Sequence, residues 1–306
     1  MASEEIRTTA GRRWAARARR GVLATLVALV TSCASSGDDG GATPAIPTTM
    51  PPLVGSLPAE GPPTSAPEAP TGSDAPGTSA LPDPVPSDDG DAIETRVIGH
   101  SVEGRPIVAE RRGTPGGRVV LIFGVIHGDE NAGLRIMQHL HRDPVPDGID
   151  LWLVDTMNPD GLVADTRQNA NRVDLNRNFP HHWAPLGEVG FWQYAGPSAG
   201  SEPEVEAVTA FMLDIRPELT MWYHQDYFRI SPAQGRDGRI RRRYSELSGL
   251  PLLPISGGTY TGSASSWARS AIVGGIAFVI ELGPELSAAE AERHAGAVWT
   301  ILGELD

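Results

Sequence analysis

Four side chains with acid–base or metal-binding chemistry stand in the same kind of place. His127 and Glu130 close the stretch Val119 to Glu130, VVLIFGVIHGDE, where an apolar, β-branched run stops abruptly. His224 directly follows the apolar run Leu219 to Tyr223, and Glu281 follows Ile276 to Ile280. A catalytic zinc takes three protein ligands from His and carboxylate side chains and keeps a further position open. His127, Glu130 and His224 are the expected ligands of one zinc ion. His-x-x-Glu is too short for the His-x-x-x-His pattern of a helical metal site, but it suits a strand-to-helix turn. Taken alone it also describes a buried core histidine followed by first-turn acids of a helix, Asp129 and Glu130.

The elements that must position these groups follow from periodicity. Thr95 to Glu110 reads as a hairpin turned at Glu103-Gly104. Val119 to Val125, Leu151 to Val154, Leu219 to Tyr223 and Ile276 to Ile280 read as strands buried on both faces. Helices are expected over Asn131 to His141, over Ser201 to Ile215 with its cap in Ser201-Glu202-Pro203-Glu204, and over Ser287 to Leu302 capped by Ser287. Strands alternating with helices make the class α/β, a mixed, mostly parallel twisted sheet flanked by helices. In such sheets ligands collect at the carboxyl ends of strands, where His127, His224 and Glu281 all stand.

Asn158-Pro159-Asp160-Gly161 is followed by Asp165 to Pro180, DTRQNANRVDLNRNFP. With HGDE upstream, these motifs resemble the zinc carboxypeptidase family, peptidase family M14, and within it the murein peptide amidase A branch, whose members cleave cell-wall peptides. The resemblance runs from about Val97 to the C-terminus and is specific in its combination of motifs. It implies that His127, Glu130 and His224 bind zinc and that Glu281 activates water. It further implies that Arg167 polarises the scissile carbonyl, that Asn176 and Arg177 grip the substrate's terminal carboxylate, and that Asp174 orients a zinc-bound histidine.

Elementary chemistry fits those roles. Zinc lowers the pKa of a water it holds to about 7. A neighbouring carboxylate takes the proton and later gives it to the leaving amine. A cation aimed at the developing oxyanion stabilises it, and the planar fork of arginine bonds both oxygens of a carboxylate. Apart from the resemblance, Arg167 reads as a loop residue, Asn176-Arg177 as a turn and Glu281 as a strand-end acid. One departure concerns the mobile tyrosine of the digestive enzymes. Placed by the segment Gly262 to Trp267, its position falls at Arg269, with Tyr260 nearby but out of place. A tyrosine contact is therefore not expected, and Arg269 reads either as a binder of a second acidic group or as a solvated side chain.

The rest of the chain bounds the setting. Of 306 residues, 40% are hydrophobic, enough for a sizeable core. The net charge of −13 argues against nucleic-acid binding. All 25 basic residues are arginine. Arg12 to Arg20 form a basic segment ahead of the short apolar stretch Gly21 to Ser32, which ends at Cys33, the one cysteine. Residues 1–33 read as a signal peptide and resemble a bacterial lipoprotein signal, which implies that Cys33 is lipidated. The alternative is an uncleaved anchor. Residues 34–93 hold 13 of the 27 prolines, nine acidic residues, no arginine and no aromatic residue. They read as a disordered tether spanning roughly 40–45 Å. Residues 94–306 are the expected catalytic domain.

These readings predict a zinc-dependent carboxypeptidase or amidase that cuts a peptide or γ-glutamyl amide bond next to a free carboxylate. The expected substrate is a murein peptide. The expected location is outside the cytoplasm, lipid-anchored to the cell membrane or secreted. Two rivals are a deacylase of N-acyl amino acids, similar to succinylglutamate desuccinylase and aspartoacylase, and a lipoprotein that binds cell-wall peptides without cutting them. His181-His182 reads as a loop pair. Arg239 to Arg243, RIRRR, reads as a solvated face or a contact for acidic lipids or muropeptide carboxylates.

Overall fold

A computed structural model describes residues 92–255 and 260–305. The signal segment, Cys33 and nearly all of the expected tether lie outside the described residues. The hairpin begins three residues earlier than expected, with β1 (Ala92–His100) followed by β2 (Pro106–Gly113). Then come β3 (Arg118–Val125), α1 (Gly133–Leu140), β4 (Ile149–Thr156) and the short α2 (Pro159–Ala164). A single 3-10 turn spans Leu175–Arg177. The remainder is α3 (Pro203–Ile215), β5 (Leu219–Gln225), α4 (Gly235–Ser248), α5 (Ala264–Ala271), β6 (Ile276–Leu282) and α6 (Ala288–Gly303).

The strands form one sheet in the order β1-β2-β4-β3-β5-β6. The hairpin is antiparallel and joins β4 antiparallel, whereas β4, β3, β5 and β6 run parallel to one another. The chain leaves β3 for β4 on one side and later returns to β5 on the other. β3 is therefore the switch point of the sheet, and the crevice at its carboxyl end is where a ligand belongs.

Alternation along each strand supplies both faces. Met221, Tyr223, Phe278 and Ile280 pack with α1, α4 and α6 on one side. Leu121, Phe123, Trp222 and Ala277 pack with α3 and α5 on the other. Trp222 stacks on Phe123, with ring centroids 3.8 Å apart and planes 4° from parallel, and meets Phe179 edge-on at 6.1 Å. This aromatic wall lies on the face to which His224, two residues on, also points. α6 has the expected capping box between Ser287 and Glu290. α3 is capped within Ser201-Glu202-Pro203-Glu204, with proline and acids in its first turn. Its N-cap is Glu202, whose side chain turns away from the helix to accept from Asn169, Asn171 and Ser201. Among the described residues no helix is long and apolar enough to cross a membrane.

Candidate metal centre

The turn after β3 is shaped by a backbone contact. A Cβ on Gly128 would stand 2.0 Å from the carbonyl carbon of Gly161, so neither HGDE nor NPDG tolerates a side chain where the two loops meet. Asn158 fastens the junction. Its Oδ1 accepts from the Gly161 N–H at 3.0 Å and its Nδ2 donates to Ile126 O at 3.1 Å. His127 is thereby fixed at the carboxyl end of the central strand.

Glu130 lies between the two histidines. Its Oε1 is 2.9 Å from His127 Nδ1 and its Oε2 is 2.9 Å from His224 Nδ1. The backbone N–H of Gln225 also donates to Oε2, at 3.1 Å. Donor atoms of His127, Glu130 and His224 all lie within 4.8 Å of one another, close enough to converge on one ion at about 2.0–2.2 Å. Both histidines are buried, with exposures of 1% and 3%. Two imidazoles and one carboxylate are a donor set that catalytic zinc takes, so the residues fit the ion.

Behind His127 stands Asp174, fully buried, accepting from Nε2 at 3.0 Å. A carboxylate can only accept, so Nε2 carries a proton toward Asp174, and Nδ1, facing Glu130, is the nitrogen that would meet an ion. This is the support a metal-binding histidine needs. Asp174 also accepts from the Asn176 N–H at 2.9 Å and from Arg167 Nε and Nη2 at 3.1 and 2.9 Å. Arg167 Nη1 reaches Glu130 Oε1 at 2.7 Å. Asn176 faces His224, Nδ2 to Nε2 at 3.5 Å, while its Oδ1 accepts from the first N–H of α5 at 2.9 Å.

Charge follows from this packing. Burial opposes charge on His127, but Glu130 and Asp174 outweigh it and raise its pKa. Burial lowers that of His224 despite Glu130. Glu130 and Asp174, although buried, are held well below the usual carboxylate range, chiefly by His127. Glu281 behaves oppositely. Burial and the negative charge of Glu130 push it up to about 8. Its Oε2 is buried without a hydrogen-bond partner. Arg177 is 2% exposed, donates Nη1 to Asn176 O at 2.7 Å, and keeps a buried Nε without a partner.

The structure corrects the reading of the tyrosine. Tyr260, not Arg269, belongs to the site. Its ring lies 5.1 Å from Arg177 Cζ, and it feels the charges of Arg177, Glu281 and Arg167. Gly262 explains the placement, since a Cβ there would stand 2.2 Å from Arg177 O. Arg269 is carried away along α5 and donates to Ala277 O at 2.7 Å. That carbonyl lies four residues before Glu281, roughly 13 Å along the strand. The run Arg239 to Arg243 is only partly a solvated face. Arg241 is buried and paired with Asp237, and Arg243 pairs with Glu304. The rings of His181 and His182 lie 4.0 Å apart, tilted by 59°, and join no ion-holding cluster among the described residues. The sequence reading also missed Trp192, whose ring lies 5.1 Å from Arg167 Cζ. It missed Gln225 too, whose side chain ties the Ala132 N–H to the carbonyls of Gly283 and Pro284. Their neighbours are distant in sequence, so no local pattern marks them.

Comparison with known proteins agrees with this geometry. The zinc carboxypeptidase family profile matches residues 83–227, which include the three ligands and end before Glu281. Murein peptide amidase A of Escherichia coli (strain K12) is 30% identical over 184 residues, 56% of this chain and 75% of the relative. Its counterpart in Vibrio campbellii is 26% identical over 215 residues, 67% of this chain and 85% of the relative. The crystal structure of the murein-tripeptide amidase of Escherichia coli O157 superposes with a TM-score of 0.58 at 27% identity, over 70% of this chain and 93% of that one. Carboxypeptidase A of Helicoverpa armigera, 18% identical with a TM-score of 0.61 over 70% of this chain and 68% of that one, shares the fold. The chain belongs to the zinc carboxypeptidase family and is a zinc metallocarboxypeptidase acting on peptides.

Proposed function

We propose that this enzyme hydrolyses an amide bond next to a free carboxylate in murein peptides, outside the cytoplasm and anchored to the membrane through Cys33. The observation that carries the bond preference is Arg177. A buried guanidinium with an unpartnered Nε is costly unless an anion meets it. It lies beside Asn176, which touches the ligand His224. A terminal carboxylate of the substrate satisfies both needs and brings the adjacent amide to the metal. The cell-wall substrate is supported by the likeness to murein peptide amidases. The anchor is supported by the basic and apolar residues ahead of Cys33.

Bound zinc, held by His127, Glu130 and His224, supplies Lewis acidity and an activated water. Beside a bound cation, which favours its ionised form, Glu281 takes the proton at its unpaired buried oxygen and delivers it to the leaving amine. Arg167 Nη1 stabilises the charge that develops on the scissile carbonyl oxygen. Asp174 keeps His127 in the tautomer that leaves Nδ1 for the ion. Tyr260, exposed and lying over Arg177, closes the carboxylate side of the pocket.

Mass spectrometry of a muropeptide mixture tests the reading. With zinc present, peptides ending in a free carboxylate should be shortened at the adjacent amide, and chelation should stop it. Hydrolysis of N-acyl amino acids with muropeptides left intact would assign the chain to deacylation instead. Muropeptide binding with zinc and no turnover would make it a binding protein.

A further inference from the structure

Arg167 is held in its own plane by Asp174 and Glu130. Its Cζ lies over the indole of Trp192, 5.1 Å from the ring centroid. Trp192 is 53% exposed, so burial alone does not account for its place. The loop that carries it is fixed to the segment that carries Arg167. The Asp174 N–H donates to Tyr194 O at 2.8 Å, and the Tyr194 N–H donates to Phe191 O at 2.9 Å. Gln168 Nε2 also donates to Phe191 O, at 2.8 Å. Gly187 packs so closely on Phe191 that a Cβ would stand 2.2 Å from its ring.

We infer that Trp192 is a positioning residue for Arg167. The inference rests on the role proposed above for that arginine. Nη1 is shared with Glu130, which is also a zinc ligand. With Glu130 engaged by an ion, Nη1 would be the nitrogen free to meet the carbonyl oxygen, Nε and Nη2 being bound to Asp174. Bonds lying in one plane leave the guanidinium free to tilt about the Asp174 carboxylate. The indole face blocks that tilt and attracts the cation. Trp192 thus acts on the transition state through Arg167 and contributes little to ground-state binding.

The test uses the zinc-loaded full chain with Trp192→Ala, Trp192→Phe and, as a control at an exposed position of the same loop, Val189→Ala. The first readout needs no substrate: the side-chain Nε–H signal of Arg167 in nitrogen-15 NMR, assigned by its loss in Arg167→Lys. Trp192→Ala should shift that signal and speed its exchange with water. Trp192→Phe should keep it close to wild type, as should Val189→Ala. The second readout is turnover of a γ-glutamyl-diaminopimelate peptide. Trp192→Ala should lower kcat about fivefold, with KM nearly unchanged and Phe restoring most of the loss. An unaltered Arg167 signal in Trp192→Ala would overturn the inference. So would a loss confined to KM. If the wild type cleaves no such peptide, the substrate reading fails while the NMR result still decides the role of Trp192.

Discussion

His224 and Glu281 are register partners on the adjacent parallel strands β5 and β6. Partners in register point to the same face, about 4.8 Å apart. The third zinc ligand and the proposed base therefore share one face of the sheet because the pairing fixes them there. A slip of one residue would turn Glu281 to the opposite face. Phe278 and Ile280, buried against α4 and α6, resist that slip.

Glu281→Gln keeps the shape and removes the proton acceptor. Zinc content should stay at wild-type level while kcat falls roughly 100-fold or more. Metal analysis and steady-state kinetics on one preparation check both halves.

Asp174→Asn should weaken zinc binding about 10- to 100-fold. The amide can offer His127 an acceptor but no charge, and it also loosens Arg167. Competition with a chromogenic chelator measures the effect, which should exceed that of Glu281→Gln.

Arg177→Ala should raise KM roughly 10- to 100-fold for substrates with a free carboxylate. It should have little effect on the same peptides with an amidated end. Comparing the two substrate forms in wild type and variant isolates the clamp.

What the sequence disclosed and what it hid divide along physical lines. β3, β5 and β6 are buried on both faces, so their apolar runs announce them, and with them the places of His127, His224 and Glu281. α4 was not legible, because its buried stripe is Gly238, Arg241, Tyr244 and Ser248, and the Asp237 partner that makes Arg241 tolerable there shows only in the fold. Tyr260 reaches the site because Gly262 lies against the backbone of Arg177, far earlier in the chain. That contact leaves no periodic trace, and family spacing misplaced the residue at Arg269.

His141 gives a pH test outside the site. Burial opposes its charge, but hydrogen bonds to Asp155 and Glu110 raise its pKa to about 9. The folded state then binds the proton more tightly than the unfolded chain does. The stabilisation is full below about pH 6.5 and is lost as pH rises through about 9. Because Asp155 is half exposed, it is on the order of 1 kcal/mol. Denaturation of zinc-loaded wild type and His141→Gln should differ at pH 6 and converge near pH 10.

The most direct measurement is zinc-edge X-ray absorption on protein loaded with one equivalent of the metal, compared with His224→Ala. The wild type should give one tightly bound ion with two imidazoles and a carboxylate oxygen in its shell, and the variant should lose one imidazole and most of its affinity. A zinc shell without imidazole, or one the substitution leaves unchanged, would contradict the assignment of His127, Glu130 and His224 as the metal centre.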